Sequence, residues 1–190
     1  MHKDMVKPWK EIDSDIEYSC NWFSVQRTRL LSPKNNVEHN FHHLLQHDCV
    51  NIIALTEKKE VLTVHQYRHT IDRISLETPG GVIDASDPSP LDAAKRELRE
   101  ETGYISDNWH VLGTFHANPA VMNNTCHSFL ALQARKMADP DLDLTEDLET
   151  ELISLPGIVD RIENGDITHG ITLASFLKFE FFRIKNPELF

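Results

Sequence analysis

The stretch TPGGVIDASDPSPLDAAKRELREETGY, residues 78–104, is a glycine turn feeding an acidic helix. Ser89 suits the N-cap. Pro90 follows at the first helical position, where its missing N–H costs nothing, and Asp92 at N3 nearly completes a capping box. Gly103 supplies the stop. Between those limits Leu91, Ala94 and Leu98 recur at i, i+3 and i+7 and predict the buried stripe, while Glu97, Glu100 and Glu101 fall beside it. Three carboxylates therefore share one face. Like charges at i,i+4 destabilise a helix by about 0.2–0.5 kcal/mol per pair, and a hard divalent cation between them would reverse that sign. Such a cation takes oxygen ligands and keeps waters for a phosphate substrate, so carboxylates beside a glycine turn suit metal-assisted phosphoryl chemistry. An acidic run by itself is usually a solvated helix face. The adjoining turn and the spacing set this one apart.

Gly81, then Arg96-Glu97-Leu98, Glu100-Glu101 and Gly103-Tyr104 resemble the box of the Nudix hydrolases. The family pattern is Gly, five residues, Glu, seven residues, Arg-Glu-apolar, one residue, Glu-Glu, one residue, Gly-apolar. This chain departs from it at one place, where Asp87 stands for the first Glu and eight residues, Pro88 to Lys95, precede Arg96. Because the helix glutamates are intact, the departure reads as a one-residue insertion in the loop.

Length and composition narrow the remaining possibilities. At 190 residues the chain can bury a normal core, and 40% hydrophobic content argues against disorder. A net charge of −11 leaves no broad basic surface for nucleic acid, so an anionic substrate needs local arginines plus metal. Cys20, Cys49 and Cys126 are odd in number and form no CxxC pair, which predicts a reducing, cytoplasmic setting and no zinc ribbon. The start lacks an apolar targeting segment and no run of eighteen apolar residues occurs, so no membrane association is expected. His39, His42, His43 and His47 match no zinc spacing and read as surface histidines.

Periodicity predicts strands over 22–31 and 37–45 around a turn at 33–36, then strands over 50–55, 61–68 and 74–78. Beyond the helix come strands over 109–116, 127–134 and 148–155, with an acidic loop from Asp139 to Asp147 before the last of them. Helices at about 156–164 and 171–183 close the chain. The order predicts an α+β fold with a mixed sheet. The resemblance implies the Nudix α/β/α sandwich, carried by residues 48–190, with the strands of 1–47 as a small β subdomain used for homodimerisation.

Several residues are similar to the branch of the family that cleaves ADP-ribose and other nucleoside diphosphate sugars. Gln66-Tyr67-Arg68 resembles its Gln-aromatic-Arg segment, which makes Arg68 the first candidate for clasping the diphosphate, with Arg73 the second. Pro119, fifteen residues after Tyr104, and the segment Asn118 to Asn124 resemble its substrate loop. Trp22 is a candidate for stacking on a base, alongside a plain role in subdomain packing.

The resemblance implies Mg²⁺, with Mn²⁺ able to substitute, held by Glu97 and Glu101 with help from Glu100 and the Gly80 carbonyl, while Arg96 orients the carboxylates. The general base has to come from another element, since the helix glutamates face metal. Glu146, in a loop similar to the one that closes over substrate in this branch, is the leading candidate and Glu149 the second. The expected activity is hydrolysis of a nucleoside diphosphate sugar to a nucleoside monophosphate and a sugar phosphate. Hydrolysis of a dinucleoside polyphosphate or a nucleoside triphosphate, and a non-catalytic nucleotide-sensing module, are the alternatives. The three intact glutamates weigh against the sensing module, and Gln66-Tyr67-Arg68 with Pro119 against the other substrates.

Overall fold

A computed structural model of the chain describes residues 6–190. It divides into two compact units, the first holding the described residues up to His47 together with Asn118–Asn124, the second Asp48–Ala117 and Thr125–Phe190. The seven residues 118–124 thus lie outside the unit to which a boundary at 48 assigns them. Residues 1–5 of the expected N-terminal segment are outside the described residues.

The first unit is an antiparallel sheet of β1 (Lys10–Ser19), β2 (Ser24–Leu31) and β3 (Glu38–Leu45), in that order. The strand expected from Trp22 begins instead at Ser24, because residues 21–22 form the bend joining it to β1. β1 itself is absent from the sequence expectation. Most of its residues are exposed, so it lacks the alternation that marks a half-buried strand. Charge pairing against β2 compensates: Asp15 and Asp13 meet Arg27, and Asp13 also meets Arg29. Against β3 lies the segment from 118 to 124, with Leu44 N–H donating to Val121 O at 2.7 Å and Asn123 N–H to Leu44 O at 3.3 Å.

The second unit is built on a seven-stranded mixed sheet. Its path is β10 (Leu148–Ser154), β5 (Glu60–Arg68), β4 (Cys49–Thr56), β9 (Cys126–Lys136), β7 (Tyr104–Ile105), with β6 (Arg73–Glu77) on β5 and β8 (Asn108–Phe115) on β9. β4 and β9 are parallel from Cys49↔Cys126 onward, and the other pairings are antiparallel. Alternation then sorts the core into two faces. Val50, Ile52, Ala54, Phe129 and Ala131 pack with Ala93, Ala94 and Leu98 of α1 (Pro90–Thr102). Ile53, Leu55, Leu130 and Leu132 pack with Ile158 of α2 (Leu155–Glu163) and Phe176 and Phe179 of α3 (Gly170–Lys185). The α/β/α sandwich of the sequence expectation is the observed architecture. Leu91, expected within the buried stripe of α1, is only partly buried, and Ala93 is fully buried.

Two features of this frame position the site. β5 forks, its first residues pairing with β4 at Val61 and Leu62 and its last with β6. Chain leaving β6 fills the fork by running along β4, with Ile52 N–H donating to Pro79 O at 2.9 Å, Val50 N–H to Gly81 O at 2.8 Å and Ile83 N–H to Asp48 O at 2.9 Å. Among the described residues no helix is long and apolar enough to cross a membrane.

Candidate active site

The caps of α1 form as the sequence predicts. Asp92 N–H donates to Ser89 Oγ at 3.2 Å, and Gly103 takes φ 73° while its N–H donates to Arg99 O at 2.8 Å. These caps fix the helix register, which turns Glu97 and Glu101 toward the glycine turn, where they are 8% and 6% exposed. Glu100 stays half-buried. Gly80 lies so close to β4 that a Cβ would stand 2.9 Å from Asn51 Cα, and at φ 157° only glycine is comfortable. Its N–H donates to Glu101 Oε2 at 2.9 Å. Because the carbonyls of Pro79 and Gly81 both bond β4, alternation directs the Gly80 carbonyl between them away from that strand. At Gly81 a Cβ would stand 2.6 Å from Glu97 Cδ, so the carboxylate occupies the space a side chain would take.

Arg96 ties the carboxylates together. Its Nη1 donates to Glu97 Oε1 at 3.0 Å and to Glu100 Oε2 at 3.1 Å. On the other side Nε and Nη2 donate to Asp87 at 3.1 and 2.8 Å, and Nη2 also to Val82 O at 3.0 Å. Asp87, the residue at which the box departs from its pattern, is therefore the bidentate partner of Arg96. That hydrogen-bonded guanidinium holds the Asp87 carboxyl below its ordinary range.

Burial works the other way on the two inner glutamates. Desolvation, opposed by Arg96 and reinforced by Glu146 and Glu100, pushes Glu97 up to about 7. Glu101 reaches about 8 through desolvation, opposed by the Gly80 N–H and Arg68 and reinforced by Glu97 and Glu146. Two buried oxygen donors that repel each other as anions are what a hard divalent cation would neutralise, so the donor chemistry fits such an ion. Among the described residues no three His, Cys, Asp or Glu side chains converge on one point as a closed metal cage. The fit is to an open site completed by backbone carbonyl, water or substrate oxygens.

The acidic loop from Asp139 to Asp147 is fastened to the end of α1, Asp141 N–H donating to Glu100 O at 2.8 Å and Met137 N–H to Gly103 O at 2.9 Å. This brings the charge of Glu146 to bear on both inner glutamates. Glu146 is half-buried, and its Oε2 accepts from Asp143 N–H at 3.1 Å. Glu149 is exposed on β10 opposite His65.

Arg68 lies at the end of β5, where Nε and Nη2 donate to Glu77 at 2.8 and 2.7 Å. Nη1 is the nitrogen that Glu77 does not engage, and the Glu101 charge adds to the field on this guanidinium. Arg73 is exposed at the start of β6, opposite Arg68. Trp22, 71% exposed, and Pro119, in an exposed turn, belong to the first unit and not to the unit that carries the glutamates.

Sequence reasoning missed a buried polar group beneath this site. Glu77, 3% exposed, also lies 3.0 Å from His169 Nδ1 through its Oε2, an ion-pair distance. Burial alone would raise its pKa, but Arg68 and His169 outweigh that and hold it below the usual range. Thr172 Oγ1 lies 3.1 Å from His169 Nδ1 and accepts from Thr78 N–H at 3.2 Å, and Thr78 Oγ1 donates to Asn51 Oδ1 at 2.9 Å. The network ends at the glycine turn, so it fixes the backbone whose N–H holds Glu101. Nothing in the sequence RISLE, which also carries Arg73 and Ser75, marks the closing carboxylate as buried, so no local signal was available.

Comparison with known proteins places this geometry. The family model described as the NUDIX domain matches residues 45–160, more than half of the chain. An ADP-ribose pyrophosphatase of Mycobacterium tuberculosis is 26% identical over 171 residues, 89% of this chain and 82% of that protein. One of Bacillus subtilis is 27% identical over 120 residues, 63% of this chain and 64% of its own length. A crystal structure of an ADP compounds hydrolase superposes with a TM-score of 0.84 at 17% identity, over 96% of this chain and 98% of that one, and so shares the fold. Nudix hydrolases generally use divalent metal ions, in keeping with the donor set around Glu97 and Glu101. The chain belongs to the NUDIX domain family.

Proposed function

We propose that this Nudix hydrolase cleaves the diphosphate of a nucleoside diphosphate sugar such as ADP-ribose, giving a nucleoside monophosphate and a sugar phosphate. The observation that carries the reading is the pair of buried glutamates Glu97 and Glu101 at the glycine turn, with Arg68 coupled to Glu101 through its charge. Relatives named as ADP-ribose pyrophosphatases support the substrate class. Glu97, Glu101, Glu100 and the Gly80 carbonyl would hold Mg²⁺, with Mn²⁺ able to substitute, and the bound ion would neutralise the diphosphate and activate water toward phosphorus.

The remaining work belongs to side chains. Arg68 presents Nη1 to a phosphate oxygen while Glu77 fixes its plane, so the contact needs little ordering when substrate arrives. Arg73 adds a second positive charge at the same strand pair. Arg96 keeps Glu97 and Glu100 in place and is itself braced by Asp87. Glu146 takes the proton of the attacking water, its charge already felt at both inner glutamates, and Glu149 is the second candidate. Trp22 and Pro119, both exposed in the first unit, are proposed as further substrate contacts. That unit is also the proposed homodimer surface, supported by its exposed Trp9, Ile16, Tyr18 and Phe41. The three free cysteines suit a reducing compartment such as the cytoplasm.

The test is a panel of ADP-ribose, other nucleotide sugars, dinucleoside polyphosphates and nucleoside triphosphates, each with Mg²⁺ and with phosphate released by a coupled phosphatase. The reading expects the nucleotide sugars to have the highest kcat/KM. A preference for triphosphates or polyphosphates would replace it.

A further inference from the structure

A pocket of about 330 Å³ opens beside the first turns of α3, lined by Phe115, His116, His169, Ile171 and Ala174 among others. A short chain of contacts joins it to the glutamates. Arg68 feels the charge of Glu101, Glu77 accepts from Arg68 at 2.7 and 2.8 Å, and His169 Nδ1 lies 3.0 Å from Glu77.

Glu77 does not depend on an imidazole at 169 for its hydrogen bonds. Arg68 alone gives Glu77 two charge-assisted bonds, so the carboxylate is satisfied without it. Nor does His169 cap α3, since it stands at the N-cap position and makes no side-chain cap bond. The Glu77 carboxylate 3.0 Å from Nδ1 favours one tautomer, because a ring lone pair facing it would be repelled. With the proton on Nδ1 toward that charge, Nε2 keeps its lone pair. That lone pair repels a phosphate oxygen and suits an O–H donor. The pocket walls formed by Phe115, Ile171 and Ala174 are apolar, as the faces of a sugar ring require.

We propose that this pocket is the subsite for the terminal sugar of the substrate, with His169 Nε2 accepting a hydrogen bond from one of its hydroxyls. The inference rests on the nucleotide-sugar reading above. Size selects the terminal sugar, because ligand pockets run from about 300 to 1,000 Å³ and this one, at the small end, takes one ring and not a nucleoside.

Calorimetric titration of ribose 5-phosphate and of AMP, each with Mg²⁺, tests it in wild type, His169→Leu and His169→Gln. His169→Leu should weaken ribose 5-phosphate about tenfold, the loss of one hydrogen bond, and leave AMP unchanged. His169→Gln should retain most of the affinity, since its amide donates to Glu77 and still offers a carbonyl. His169→Phe repeats the deletion with a ring of similar size in case leucine lowers the melting temperature. Unchanged affinity for ribose 5-phosphate, equal weakening of both ligands, weakening of AMP alone, or a wild type that does not bind ribose 5-phosphate would each overturn the subsite. The titration needs no turnover. A protein that leaves ADP-ribose intact but binds ribose 5-phosphate through His169 would overturn the reaction and keep the pocket.

Discussion

Glu101→Gln separates the cost of the site from its use. The amide oxygen can still accept the Gly80 N–H, so the substitution removes a buried charge and little else. Glu101 titrates at about 8 in the folded chain against an ordinary 4.5. A carboxyl whose folded pKa is raised contributes stability that is fully present below the unfolded pKa and lost as pH rises through the folded one. The metal-free fold should therefore weaken between about pH 4.5 and pH 8, the interval bounded by those two values. The gap, 8 minus 4.5, is about 3.5 units, and at about 1.4 kcal/mol per unit it amounts to about 5 kcal/mol once the group is fully ionised. Glutamine should recover several kcal/mol of this. Melting curves in EDTA should show the variant barely ahead near pH 5 and ahead by on the order of 10 °C near pH 9, taking about 2–4 °C per kcal/mol for a chain of this size. Saturating Mg²⁺ should then raise wild type, by about 2.7 kcal/mol at a hundredfold excess over Kd, and leave the variant where it was, with activity lost. An advantage for glutamine that is the same at pH 5 and pH 9 would refute the burial argument, and equal Mg²⁺ shifts in both proteins would refute the ligand assignment.

Glu146→Gln should lower kcat by orders of magnitude with little change in KM, whereas Glu149→Gln should be close to wild type; steady-state kinetics decides, and two fully active variants would remove the loop base. Arg68→Ala should weaken binding of every nucleotide sugar whatever its base and, by leaving the 3%-exposed Glu77 without its guanidinium, also lower the melting temperature. The assembly proposal expects sedimentation at twice the 21.8 kDa chain mass, and a monomer at micromolar concentration would end it.

Local signals carried far in this chain, but only where the reason for a structure is local. The caps at Ser89 and Gly103 and the apolar runs of β4 and β9 place their elements from sequence, because hydrogen bonds and burial there follow from neighbours in the chain. β1 was illegible for the opposite reason. Its residues are mostly exposed, and its pairing is set by Arg27 and Arg29 on another strand. The box identifies Glu97 and Glu101 but says nothing of their burial, which depends on the chain of 79–83 crossing from β6 to β4. Asp87 reads from sequence as the place where an inserted loop residue breaks the pattern, and its role emerges only from the position of the Arg96 guanidinium. The link between Glu77 and His169 spans more than ninety residues, and no periodicity encodes it.

The segment from 118 to 124 also bears on the order in which the chain can be assembled as it is synthesised. The three strands of the first unit emerge early and can pair among themselves. Leu44 N–H, though, waits for Val121 O, and Gln46 N–H for Asn123 Oδ1, some 77 residues later. Until that length of chain has left the ribosome, β3 carries open donors in a unit that already displays Trp9 and Phe41. The nascent N-terminal sheet is thus the part of this molecule most in need of protection during synthesis, and the turn at Pro119 is what brings its last partners home.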